Sequence, residues 1–347
     1  MNFIERFLAA IVCAVVLAAC HDDTGLAPNE AFEFKVPENF PEPTYTFKNN
    51  PVSREGFELG KKLFFDPVLS RDQTIACSSC HAQSVAFADP QHRLSIGIED
   101  RIGKRNAPQI ANLAFQSSFF WDGGVTHVDF IPVNAIENEL EMDNDISVIL
   151  ARLRADEDYK DRFEAVFGGD TINSGRLLHT LSQFMVMLVS ADSRYDKHVR
   201  NEGETLTKEE LEGRVIFENK CSNCHSGTLF TNGGFANNGL ESDFSRDTGR
   251  AIITERTDDI GKFKIPSLRN VALTSPYMHD GRFETLEEVL EHYSDGVVDS
   301  PTLASELRKD DGFGIALSDV EQQKIIAFLN TLTDNEFIID ERFRRNN

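Results

Sequence analysis

Cys77-Ser78-Ser79-Cys80-His81 is a Cys-x-x-Cys-His run, and the chain carries it again as Cys221-Ser222-Asn223-Cys224-His225. This is the pattern by which c-type haem is attached. Each thiol adds across a vinyl group as a thioether, and the adjoining histidine reaches the iron as proximal ligand. The run is local because all three groups grip one side of one ring. With 6 Cys and 9 His in 347 residues, one chance copy is expected only about 0.003 times. A thioredoxin-like pair would need a βαβ context, and half a zinc site would need further Cys or His pairs close by. Neither surrounds these runs. Cys77, Cys80 and His81 therefore read as one haem site, and Cys221, Cys224 and His225 as a second.

The other two cysteines, Cys13 and Cys20, lie near the N-terminus, so no structural disulfide is expected. Cytochrome c matures outside the cytoplasmic membrane, so the haem motifs set the compartment as the periplasm. The length allows two domains, three at most. The formal charge of −22 excludes a nucleic-acid partner. It suits a soluble protein and equally a surface that steers a basic partner.

Arg6 precedes an apolar run from Phe7 to Ala19. The run is too short to span a bilayer and reads as the core of a secretory signal, residues 1–19. It ends Leu17-Ala18-Ala19-Cys20, which resembles a bacterial lipobox. That resemblance implies cleavage before Cys20 and a lipid anchor on its thiol; the alternative is ordinary cleavage near Ala18 and Ala19. Residues 20–50 hold several prolines and no periodicity, and read as a tether.

From Ser53 to Phe65 the apolar residues fall on a helix-compatible face. Gly60-Lys61-Lys62-Leu63-Phe64 leads into the first haem motif, and Gly213-Arg214-Val215-Ile216-Phe217 leads into the second. This weak repeat predicts two cytochrome c-like units, taken here as residues 51–200 and 201–347. Between the motifs, Ile146–Phe167 and Ile172–Ser190 read as helices. Thr207 with Glu210, Thr285 with Glu288 and Ser318 with Glu321 are capping boxes for three later ones. Residues 226–262 read as loop. The fold class is mainly α, two cytochrome c-like domains each with one covalently bound haem.

Further phrases follow in order: Leu63-Phe64-Phe65-Asp66-Pro67, Arg105-Asn106-Ala107-Pro108, Phe120-Trp121-Asp122-Gly123, Glu141-Met142, Ile265-Pro266-Ser267-Leu268-Arg269-Asn270 and Pro276-Tyr277-Met278-His279-Asp280-Gly281. With the two haem motifs, they resemble the bacterial di-haem cytochrome c peroxidases and the similar MauG-type enzymes over roughly residues 53–333. The resemblance implies a peroxidase that reduces hydrogen peroxide with electrons from a small donor protein, a c-type cytochrome or a copper protein. Two alternatives stay open, a MauG-type oxidase acting on a partner protein and a non-catalytic electron-transfer cytochrome. A homodimer is one option for the assembly.

The resemblance also implies site roles. Glu141 would move protons on the distal side of the first haem. Trp121, the sole tryptophan, would relay electrons between the haems. The removable distal histidine of many such peroxidases falls at Gly97, so the first iron is expected to be open, with His92 as the displaced alternative. For the sixth ligand of the second haem, Met278 is the choice on residue chemistry, whereas the resemblance points to Tyr293. A calcium ion would be held by the Asn106 side chain and the carbonyls of Thr274 and Pro276. Arg269 is a candidate propionate partner or a surface charge.

Overall fold

The computed structural model describes residues 32–169 and 171–345. The secretory run 1–19 and the lipobox cysteine lie outside the described residues. Residues 33–347 form one compact unit. Its helices in chain order are α1 (Arg54–Phe65), α2 (Cys77–Cys80), α3 (Ile131–Glu137), α4 (Ile146–Ala155), α5 (Glu157–Phe167) and α6 (Ser174–Val186). These are followed by α7 (Arg194–Val199), α8 (Lys208–Lys220), α9 (Ala251–Thr254), α10 (Leu286–Glu291) and α11 (Asp319–Asn330). Among the described residues, strands are confined to two short antiparallel pairs. β1 (Phe235–Ala236) pairs with β2 (Phe263–Lys264), and β3 (Arg308–Lys309) pairs with β4 (Gly312–Phe313).

Helix starts follow side-chain capping. Ser53 accepts from the Gly56 N–H at the start of α1, and the boxes Thr207/Glu210, Thr285/Glu288 and Ser318/Glu321 open α8, α10 and α11. The long helix expected over 146–167 is two helices, because Asp156 leaves helical geometry and caps α5 through the Tyr159 N–H.

Two helix pairs organise the core. In the first half α1 packs on α6, and in the second α8 packs on α11. The glycines of the sequence repeat sit at these crossings. A Cβ on Gly60 would lie 2.2 Å from the Thr180 carbonyl of α6, and one on Gly213 would lie 1.9 Å from the Lys324 carbonyl of α11. Both helix pairs approach backbone to backbone, which any larger residue would prevent. The phenylalanine four positions on is buried in each case, Phe64 against Phe184 and Phe217 against Phe328.

Two segments differ from expectation. Residues 33–50 are not a free tether. Phe40, Tyr45 and Asn50 are buried, and the Thr44 and Tyr45 N–H groups donate to the Ala114 carbonyl. Their aromatic side chains supply the apolar area that ordering a polar linker lacks. The C-terminal segment, for its part, packs on the first half. Phe337 and Phe343 pack against Phe87, Gln83 Nε2 donates to the Asp340 carbonyl at 2.8 Å, and Lys61 Nζ donates to the Arg342 carbonyl at 3.0 Å. Among the described residues no helix is long and apolar enough to cross a membrane.

Candidate active site

The first motif forms one helical turn, α2, closed by the His81 N–H on the Cys77 carbonyl at 3.1 Å; in the second, the His225 N–H closes on the Cys221 carbonyl at 3.0 Å. Each turn brings two thiols and one imidazole to one side. His81 Nδ1 lies 2.9 Å from the Phe87 carbonyl, and His225 Nδ1 lies 3.1 Å from the Phe230 carbonyl. A carbonyl only accepts, so Nδ1 carries the proton and Nε2 is left as the ligating atom. Phe87 and Phe230 both take left-handed backbone, φ +62° and +52°. That conformation is strained for a bulky residue, and it occurs at the same functional point in both halves. Burial lowers the pKa of both histidines, so each imidazole is neutral, the form that binds a metal.

All four motif cysteines are free of disulfides. Burial pushes the Cys77 and Cys221 thiols up to about 12. An uncharged thioether suits these surroundings. Cys77 and His81 line a cavity of about 830 Å³ that also receives Trp121, Gln109, Glu141 and Lys264. Its size suits a cofactor, and the thiols, the imidazole and the mixed lining fit a covalent haem.

Glu141 lines this cavity, and its Oε1 accepts from Asn138 Nδ2 at 2.9 Å. Burial raises its pKa above the ordinary carboxylate value, and the Asn138 bond partly opposes that. Gly97 packs on the same segment. A Cβ there would lie 2.2 Å from the Leu140 carbonyl and 2.6 Å from Glu141 Cα, and the Ile98 N–H donates to the Glu141 carbonyl at 2.8 Å. No side chain fits at 97, histidine included. His92 lies beside Asp89 instead, Nδ1 to Oδ2 at 3.1 Å, and is not part of the cavity lining.

Trp121 lines the first cavity, and its Nε1 donates to the Asn106 carbonyl at 2.9 Å. Its ring meets His279 edge-on at 6.5 Å, and His279 stacks on Phe263 at 3.6 Å. Burial pulls the His279 imidazole down to about 4, so this ring stack is uncharged at neutral pH. The Asn106 N–H donates to the His279 carbonyl at 2.8 Å, and Asn106 Nδ2 donates to the Arg93 carbonyl at 3.2 Å. Thr274 and Pro276 lie on the loop before Tyr277, with Thr274 Oγ1 donating to the Val271 carbonyl at 3.3 Å. Among the described residues no group of three or more His, Cys, Asp or Glu could hold a metal, so a cation near Asn106 would depend on amide and carbonyl oxygens.

At the second motif, Cys224 lines a cavity of about 430 Å³ together with Phe235, Asn237 and Ile265. Tyr293 sits in one π-helical turn, His292–Gly296, that extends α10. Burial pushes its phenol up to about 12. A hydrogen bond from Asn238 opposes this, and Cys224 and Cys221 are near enough to act on it. Asn238 Nδ2 also donates to Met278 Sδ at 3.3 Å. Of the two sixth-ligand candidates, Met278 holds the Asn238 amide at hydrogen-bond distance, and Tyr293 lies within electrostatic reach of the motif thiols.

Arg269 is neither a propionate partner nor a surface charge. It is 1% exposed and grips Asp196 of α7 through two bonds of 2.8 and 2.7 Å. Asn238, Lys264, Phe87 and Phe230 were not found from sequence. Only the two phenylalanines carry a signal, since each follows its haem histidine by a few residues.

A family model described as di-haem cytochrome c peroxidase matches residues 54–204. The methylamine utilization protein MauG of Methylophilus methylotrophus is 32% identical over 94% of this chain and 95% of its own. Cytochrome c551 peroxidase of Nitrosomonas europaea is 33% identical over 82% of each chain. Among solved structures, a MauG-like protein associated with microbial copper homeostasis is 34% identical, with a TM-score of 0.80 over 90% of this chain and 99% of its own.

Proposed function

The chain belongs to the di-haem cytochrome c peroxidase and MauG family and is an oxidoreductase with two haem c groups; from that premise we propose that it is a MauG-type oxidase, using hydrogen peroxide to withdraw electrons from a partner protein. The observation that carries this reading is Tyr293, a phenol on the turn that extends α10, within electrostatic reach of Cys221 and Cys224. A phenolate ligand lowers an iron potential and favours high oxidation states. That suits storage of oxidising equivalents rather than uptake of electrons from a mild donor.

Haem c, held by Cys77, Cys80 and His81 and by Cys221, Cys224 and His225, supplies peroxide activation and one-electron storage. The chain's own residues do the rest. Glu141, with its raised pKa, would accept a proton from hydrogen peroxide and give it back as water forms. Gly97 keeps side chains off that face. Trp121 passes electrons between the halves. Its N–H is bonded to a carbonyl, which is no base, so the indole keeps its proton as an electron passes. Asn238 steadies the phenolate form of Tyr293. Export, a lipid anchor on Cys20 and a periplasmic site belong to the same proposal, as does a calcium ion on Asn106 and the carbonyls of Thr274 and Pro276.

A second reading, a peroxidase fed by a small c-type cytochrome or copper protein, is favoured by the Asn238 bond to Met278. Steady turnover separates the two. The MauG-type reading expects slow peroxide consumption with a reduced c-type cytochrome, and a Tyr293→Met variant whose second haem has a higher potential and whose cytochrome-dependent turnover is faster. Rapid cytochrome-dependent turnover by the unmodified protein, with a second-haem spectrum indifferent to Tyr293→Phe, would overturn it.

A further inference from the structure

The first cavity is lined by two hydrogen-bond donors that lack a proper acceptor. One is Lys264, whose Nζ bonds only to the amide oxygen of Gln116, at 2.9 Å. No carboxylate pairs with it among the described residues, in contrast to three arginines. Arg105 holds Asp122 and Asp247, Arg269 holds Asp196, and Arg282 holds Asp280 and Glu241. Burial alone, with no acid to offset it, pulls the Lys264 ammonium down to about 8. The other donor is Gln109 Nε2, the one buried side-chain nitrogen or oxygen without a partner among the described residues.

A half-buried ammonium with no counter-charge and an orphaned amide N–H are each unfavourable. Both line the cavity that holds Cys77 and His81. An anionic acceptor in that cavity satisfies both. A haem carries two carboxylates, and neither takes part in the thioether bonds or in iron ligation. Lys104 and Arg246 also line the cavity but are exposed, so water already solvates them. The position of Lys264 is fixed by its backbone, which pairs β2 with β1 and donates its N–H to the Trp121 carbonyl at 2.7 Å.

We propose that Lys264 and Gln109 together bind a propionate of the haem carried by Cys77 and Cys80, and that the charge on Lys264 raises that haem's reduction potential. The sign follows from charge. A nearby cation destabilises the ferric state more than the ferrous one, so removing it lowers the potential. The inference needs the first-haem assignment only, and holds for a MauG-type oxidase and for a peroxidase alike.

The test uses the whole di-haem protein, with the potential of each haem read by optical redox titration and propionate bending modes by resonance Raman spectroscopy. Lys264→Met lowers the potential of the first haem and leaves the second in place, while Lys264→Arg retains the parent value. Gln109→Leu shifts a propionate mode of the first haem. Should Lys264→Met fail to take up haem, Lys264→Gln takes its place and the Gln109→Leu spectrum still decides. A first-haem potential that does not move on loss of the Lys264 charge, or a Gln109→Leu spectrum identical to the parent, would overturn the proposal.

Discussion

The two halves share a proximal side and differ on the distal one. Each has a glycine at a helix crossing, Gly60 of α1 against α6 and Gly213 of α8 against α11. Each has a haem histidine whose Nδ1 meets the carbonyl of a left-handed phenylalanine. Beyond that the halves part. The first presents a half-buried carboxylate, Glu141, and a glycine where a capping side chain cannot fit. The second presents the Tyr293 phenol and the Met278 thioether, the latter bonded by the Asn238 amide. The scaffold around the two motifs is alike, so the contrast between the halves lies in a few other side chains.

The largest expected effect tests the distal difference. Glu141→Gln removes the group that moves the proton and lowers the rate of reaction with peroxide by about 100- to 10,000-fold, read by stopped-flow absorbance, while both haems still attach. An unaffected rate would place the proton transfer elsewhere and erase the contrast between the halves.

The shared scaffold is tested next. Gly60→Ala and Gly213→Ala each push a Cβ into a backbone carbonyl of the partner helix, and each is expected to cost about 1–3 kcal/mol by chemical denaturation of the haem-loaded protein. Comparable losses would sharpen the equivalence of the two crossings, and a loss at only one of them would break it.

The smallest effect concerns pH. The base form of Glu141 is needed, so the peroxide rate falls as pH drops through its pKa. Burial sets that limb above the ordinary carboxylate range. The Asn138 amide stabilises the anion, so Asn138→Ala moves the limb to still higher pH in a rate–pH profile. Movement to lower pH would show that Asn138 does not bond the carboxylate.

Much of this architecture is written in short-range patterns. The capping boxes at Thr207, Thr285 and Ser318 mark helix starts because Ncap and N3 are three residues apart. The two glycine–phenylalanine phrases mark the helix crossings for a similar reason, since both residues lie on one face of one helix. Asp156 was harder to read, because a single residue that leaves helical geometry and caps the next helix interrupts no apolar pattern. Arg269 could not be read at all. Its partner Asp196 is far away in sequence, and nothing local marks a cation that will be buried.

By itself the sequence determined the two haem attachments, the helical class and the pairing of a helix with each motif, because covalent attachment and helix capping act between residues a few positions apart. Only the tertiary structure decided that residues 33–50 and the C-terminal segment pack onto the body, that Gly97 is closed by the Glu141 backbone, that Asn238 bonds Met278, and that Lys264 and Gln109 line one cavity. Those facts depend on side chains from distant elements meeting in a desolvated interior, where burial and the partners found there set charge, protonation and what a ligand must supply.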